Sequence, residues 1–361
     1  VLLVTATGRE AEELTEELGS LIDPDSVAYY PSWETLPHER LSPRSDTVGR
    51  RLAVLRRLRH PGADGAIGPL RVVVAPVRSV LQPQVRGLGD LEPVELEPGD
   101  TAELDDVTRR LADAAYTRVD LVEKRGEFAV RGGLVDVFPP TEQHPIRVEF
   151  WGDEIDEIRS FAVADQRTIE KVDRLWAPPC RELLLTDEVR RRAEALGEAH
   201  PQLAKMTTKL AAGIAVEGME SLAPVLVDEM ELLVDAMPEE TQVVVVDPER
   251  VRSRAHDLVA TSEEFLGASW AAAAGGGTAP IDLGAASYRE LDDVLAHARE
   301  LGRAWWSVSP FGLDEELVAT GGRTVAAAPV DGYRGDIERA VADLRGWLSD
   351  GARVVVTHPG H

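Results

Sequence analysis

The sequence predicts an α/β protein in which a parallel-sheet domain is split by an α+β insert built on an antiparallel meander, with a small α/β domain following. Three observations predict it. Continuous apolar runs alternate with helical periodicity on both sides of the middle of the chain, as buried parallel strands with crossover helices require. Between them, residues 126–157 (GEFAVRGGLVDVFPPTEQHPIRVEFWGDEIDE) switch to short alternating strands with tight turns. Further on, Ala271–Pro280 (AAAAGGGTAP) is of low complexity and reads as a linker.

Residues 1–91 read as the first part of the parallel-sheet domain, with strands over Val1–Thr5, Val27–Tyr30 and Arg71–Ala75 and helices over Arg9–Leu21 and Thr47–Arg59. The stretch PSWETLPHERLSPRSD contains three prolines and predicts a long surface loop. Arg50, Arg51, Arg56, Arg57 and Arg59 interleave with Leu52, Val54, Leu55 and Leu58, which predicts an amphipathic helix with a solvated basic face rather than a phosphate site. Residues 92–175 form the insert: a helix over Ala102–Tyr116, the meander, and a strand over Glu154–Phe161. Residues 176–276 resume the first domain with helices over Thr186–Glu198, Gln202–Ala212 and Pro248–Phe265 and a strand over Gln242–Val246. Asp228–Glu240 holds six acids and no base and reads as a solvated face. Residues 277–361 read as the small α/β domain, with helices over Tyr288–Leu301 and Gly335–Leu348 and strands at Trp305–Ser307 and Arg353–Thr357.

In the meander, Gly126–Arg131 runs out, Gly132 and Gly133 turn the chain, Leu134–Phe138 returns, and Pro139 and Pro140 stop that strand before Ile146–Trp151. Strand alternation puts Ile146, Val148 and Phe150 on one face, the core, and Arg147, Glu149 and Trp151 on the other. The same rule places Arg131 with this second group, so Arg131, Arg147 and Trp151 share a face. Two readings are open on residue pattern alone. The aromatic flanked by arginines is a binding patch, or Trp151 packs under a neighbouring helix while the arginines solvate a strand.

Composition narrows the function. The formal net charge is −25, from 39 Lys+Arg against 64 Asp+Glu, which disfavours sequence-independent DNA binding. A single cysteine, Cys180, rules out an internal disulfide framework and fits a reducing cytoplasm. No apolar run approaches the roughly 20 residues that span a bilayer. The apolar start VLLVT and the end RVVVTHPGH read as the edges of a piece of a longer protein. Thr5-Ala6-Thr7-Gly8-Arg9 lacks the second glycine and the lysine of a phosphate loop and reads as a turn with a helix N-cap. After the run Val243–Val246, Asp247-Pro248-Glu249 occupies the place where an ATPase holds Mg²⁺ with Asp and polarises water with the next acid, but Pro248 cannot do that work. The eight histidines are scattered, so no metal site is expected, and Cys180 has no histidine partner.

Five motifs carry a resemblance: YYPSWETLPHERLSP (29–43), GEFAVRGGLVDVFPP (126–140), RVEFWGDEIDEIRSF (147–161), QRTIEKV (166–172) and GMES (218–221). Together they resemble the amino-terminal, UvrB-like region of the bacterial transcription-repair coupling factors. The resemblance implies a RecA-like domain split by a UvrA-binding insert, and it matches Arg131, Arg147 and Trp151 to the family's UvrA-recognition residues. The aromatic can be Phe in relatives, so Trp151 departs in size. It also implies that Asp247, Pro248 and Glu249 are a degenerate ATPase motif, that this region uses no cofactor, and that ATP and Mg²⁺ serve a DNA-translocating motor elsewhere in the parent protein. RNA polymerase and DNA would be met through other domains, which could also contact this region, and no membrane partner is implied. The alternative is a UvrB-like ATP-dependent enzyme that processes damaged DNA, with its phosphate loop upstream of Val1.

Overall fold

The computed structural model describes residues 1–37, 39–62, 68–274, 287–311, 322–327 and 332–355. Strand β1 (Leu2–Thr5) leads into α1 (Gly8–Gly19), which starts at Thr7 because the Thr7 hydroxyl accepts the Glu10 N–H while the Glu10 carboxylate accepts the Thr7 N–H. Strand β2 (Val27–Tyr29), helix α2 (Ser45–Arg59), strand β3 (Val72–Pro76) and the short α3 (Val77–Leu81) follow. The chain then makes β4 (Gln84–Val85), β5 (Val94–Leu96) and α4 (Leu104–Asp113). The next strands are β6 (Thr117–Arg118), β7 (Glu127–Arg131), β8 (Leu134–Val137), β9 (Ile146–Trp151), β10 (Glu154–Phe161), β11 (Thr168–Lys171) and β12 (Leu175–Ala177). Helices α5 (Asp187–Ala199), α6 (Ala204–Ala211) and α7 (Ala223–Leu226) lead to β13 (Met230–Glu231), α8 (Leu233–Ala236) and β14 (Gln242–Val246). Last come α9 (Pro248–Ala274), α10 (Leu291–Glu300), β15 (Ala304–Val308) and α11 (Ile337–Ser349).

A mixed α/β architecture results. The parallel sheet has the order β15-β14-β1-β3-β2, so its strands come from both sides of the intervening antiparallel segment. Its interior strands are apolar on both faces, with Leu2, Val4, Val73, Ala75, Val243 and Val245 in one core. A second core, including Phe128, Val135, Val148, Phe150 and Ile158, lies under a six-stranded sheet of order β11-β10-β9-β8-β7-β6. Pairing of β5 with β12, Leu96 opposite Leu175, brings the two ends of that segment together.

Several expectations are corrected. The expected small α/β domain from residue 277 gives up its first strand: β15 pairs in parallel with β14, and Tyr288, Val294 and Ala298 join the core of the first sheet. Residues 183–227 are helical around a core of their own that includes Leu183, Ala193, Leu210 and Leu222. The expected linker begins inside α9, which continues to Ala274, and Gly275–Pro280 lie outside the described residues. Arg353–Val355 form no strand, and residues 356 and 357 lie outside the described residues.

The proline-rich segment is irregular but not a surface loop, since Pro31, Trp33, Thr35, Pro37 and Pro43 are buried. Its polar groups find partners far along the chain. Ser42 Oγ donates to Glu220 Oε2 at 2.6 Å, Ser42 N donates to Glu217 Oε1 at 2.9 Å, and Ser221 Oγ donates to the Glu39 carbonyl at 2.7 Å. Gly218 makes this approach possible: its φ is +75°, and a Cβ there would lie 2.5 Å from the Arg40 backbone.

The basic helix also departs from expectation. Arg51 is fully buried on α2, beside Val48, Leu52 and Leu55. Its Nε donates to Glu182 Oε1 at 2.5 Å, Nη1 to the Pro31 carbonyl at 2.9 Å and Nη2 to Gln84 Oε1 at 3.1 Å. The guanidinium also lies 4.5 Å from the centre of the Tyr30 ring. Burial works against its charge, but the Glu182 carboxylate more than offsets this and holds its pKa above the ordinary value.

Candidate functional site

The outer face of the six-stranded sheet carries the candidate site, and strand register builds it. Arg131 sits opposite Leu134, Asp136 opposite Arg147, and Arg147 opposite Arg159. Arg131, Asp136, Arg147, Glu149 and Trp151 therefore share one face, while Val135, Val148 and Phe150 point into the core. Two glycine turns hold this register. Gly132 takes φ +61° between β7 and β8, and Gly152 takes φ +65° between β9 and β10. Beside the first of these, the Phe150 N–H donates to the Gly133 carbonyl at 2.8 Å, and a Cβ on Gly133 would lie 2.9 Å from the Phe150 oxygen.

Along this face the cover changes from apolar to open. At one end Ala129, Phe138 and Val122 form a small buried cluster with Val119 and Val163. In the middle the face is charged. At the other end Trp151 stands 83% exposed, so it does not pack under a helix. The alternation had grouped Arg131, Arg147 and Trp151, and the structure places the three on one face.

The two arginines are not free cations. Both donate to Asp136, whose side chain is buried between them: Arg131 Nη2 to Oδ2 at 2.7 Å, Arg147 Nε to Oδ1 at 2.6 Å and Arg147 Nη2 to Oδ2 at 2.8 Å. These bonds hold the Arg147 pKa above its ordinary value. Arg147 also lies over the buried Phe161 ring, 4.5 Å from its centre. Arg131 is 46% exposed at its side chain, whereas Arg147 is 15% exposed. Toward β11 the charges continue as a ladder, with Arg159 bonded to Glu149 at 2.5 Å and to Glu157 at 3.0 Å, and Lys171 paired with Glu157. Asp136 escaped the sequence reading, though an acid within the apolar run Leu134–Val137, opposite Arg147 in the meander register, was the signal for it.

The other residues singled out have structural duties. Asp247 takes φ +55°, its N–H donates to the Val308 carbonyl at 2.8 Å, and its carbonyl accepts the Val251 N–H at 3.0 Å as α9 begins at Pro248. Glu249 pairs with Arg252 at 2.8 Å on an exposed surface. At the end of β1, the Glu10 carboxylate that caps α1 also pairs with Arg250, so an acid occupies the helix N-terminus that would otherwise attract an anion. Cys180 is buried, and burial pushes its thiol up to about 12. Among the described residues no three His, Cys, Asp or Glu side chains cluster as a metal site, and His358 and His361 lie outside them. No helix among the described residues is long and apolar enough to cross a membrane.

Residues 94–183 match the UvrB interaction domain family, a segment that starts at the first residue of β5, ends beyond β12 and contains the whole face just described. Over its full length the chain is 50% identical to the transcription-repair-coupling factor of Mycobacterium tuberculosis, of which it spans 30%. It is also 33% identical over 54% of its length to that of Bacillus subtilis and 32% identical over 50% of its length to that of Escherichia coli, covering 16% and 15% of those relatives. The resemblance read from the five sequence motifs, to the amino-terminal region of bacterial transcription-repair coupling factors, is therefore shown along the whole chain.

Proposed function

We propose that this chain is a non-catalytic docking module of a transcription-repair coupling factor, which recruits UvrA to lesion-stalled RNA polymerase so that nucleotide excision repair starts there. The observation that carries the reading is Trp151, 83% exposed beside two ordered arginines within a UvrB interaction domain. A large aromatic held in water on a rigid strand is an anchor in want of a pocket. Arg131 and Arg147 would face carboxylates on UvrA. In this reading the parallel sheet is a RecA-like domain split by the UvrA-binding insert, and Asp247, Pro248 and Glu249, its degenerate ATPase motif, serve the start of α9. The ATP, Mg²⁺, DNA and RNA polymerase contacts of the parent belong to other domains, and the setting is the cytoplasm. The net charge of −25 agrees with a protein partner rather than DNA.

Calorimetric titration of the chain with UvrA tests this, alongside an assay of ATP turnover by a chain extended upstream of Val1. Saturable binding without turnover is expected. Turnover by the extended chain would favour the UvrB-like enzyme instead.

A further inference from the structure

Asp136 is 1% exposed, yet it lies on the outward face of the sheet and not in the apolar core beneath. Two cationic side chains cover it. The placement follows from the pleat: Ala129 and Arg147 are its direct neighbours on the flanking strands, and Arg131 is the diagonal neighbour beyond the small Ala129. A carboxylate so placed accepts three N–H groups and holds two guanidinium planes at once.

We propose that Asp136 is a positioning residue of the docking face, fixing Arg131 and Arg147 in the orientation in which a partner's carboxylates meet them. This rests on the docking reading above. Each guanidinium has five N–H donors. Asp136 takes one from Arg131 and two from Arg147, and Gln166 accepts a further one from Arg147, so most of the donors left for an acidic partner are those of the half-exposed Arg131. Arg147 is held on two further sides, by the Phe161 ring and by Gln166, whose Oε1 lies 3.5 Å from Nη2. Gln166 itself takes φ +61°, and its Nε2 donates to the Val163 carbonyl at 3.0 Å, so the QRTIEKV motif supplies part of this frame. With both side chains already ordered, binding a partner immobilises fewer rotamers.

Charge and positioning predict opposite outcomes when Asp136 is neutralised, which makes the proposal testable. Asp136→Asn keeps the shape and makes the face more positive. If attraction of an acidic partner by net charge were all that mattered, UvrA would bind more tightly. If Asp136 acts by positioning, UvrA binds about tenfold more weakly. The experiment is calorimetry of the full chain with UvrA for the native sequence, Asp136→Asn and Asp136→Glu, with melting temperatures for each. It is accompanied by the ¹⁵Nε–H signal of Arg147 in the unbound chain. Asp136→Glu keeps the charge but shifts the carboxylate by one methylene, so it misplaces both guanidinium groups without changing a side chain that meets the partner, and it keeps the test decisive if Asp136→Asn fails to fold.

The expected result is weaker binding by folded Asp136→Asn or Asp136→Glu, with a slowly exchanging Arg147 Nε–H in the native chain that is lost in Asp136→Asn. Equal or tighter binding by the folded variants overturns the proposal while leaving the docking reading intact. Failure of the native chain to bind UvrA overturns the docking reading, and the positioning role falls with it.

Discussion

The chain uses the same arginine–carboxylate pair in two regions, and the two differ in what is left over. On α2, Arg51 and Glu182 are 0% and 1% exposed at their side chains, and the guanidinium is bonded on every nitrogen and stacked on Tyr30. On the outer face of the six-stranded sheet, Asp136 is as deeply buried, but Arg131 remains 46% exposed with donors in solvent. An ion pair closed on all sides joins distant segments, here residues 51 and 182, and has nothing to offer a partner. One closed from below and open above presents an ordered cation to whatever arrives.

Breaking the closed pair is expected to have the largest effect. Arg51→Ala leaves Glu182 buried without its partner and should cost about 3–5 kcal/mol of stability, measured by denaturant unfolding. Affinity of the folded fraction for UvrA should not change. Arg147→Ala should cost less, about 1–3 kcal/mol, because Asp136 keeps Arg131. Here stability and UvrA affinity should fall together, so this substitution alone cannot separate fold from recognition.

The smallest effect is a pH dependence that sharpens the contrast. A group contributes such a slope where folding moves its proton affinity within the range titrated. Cys180 does. Its folded thiol is raised to about 12 from 9.0, so above pH 9.0 the unfolded chain releases a proton that the folded chain retains. The unfolded state then binds fewer protons, and stability falls as pH rises, by about 1 kcal/mol near pH 10. In Cys180→Ala that part of the slope should vanish, which unfolding titrations at several pH values would detect.

Legibility in the sequence followed how local each signal was. The outer face of the meander could be read because strand periodicity is a nearest-neighbour property, and Arg131, Arg147 and Trp151 obey it through two glycine turns. Arg51 was missed because a charged residue is counted as polar in helical periodicity, although its spacing from Val48 and Leu55 puts it on the buried stripe. Glu182, the residue that allows Arg51 to be buried, is 131 positions away, and no local pattern announces it. The same holds for the segment from Pro31 to Pro43. Its prolines rightly excluded regular structure, but its burial depends on Glu217, Glu220 and Ser221. The placement of β15 beside β14 was hidden by the low-complexity run between them, which looks like a boundary whether or not the chain returns to the same sheet.

Trp151→Ala tests the central claim most directly, because this side chain is 83% exposed and its removal leaves the Asp136 bonds in place. UvrA affinity by calorimetry should weaken by about 2 kcal/mol, roughly 30-fold, while the melting temperature stays at the native value. Unchanged affinity in a folded Trp151→Ala chain would contradict the account and place recognition on another surface.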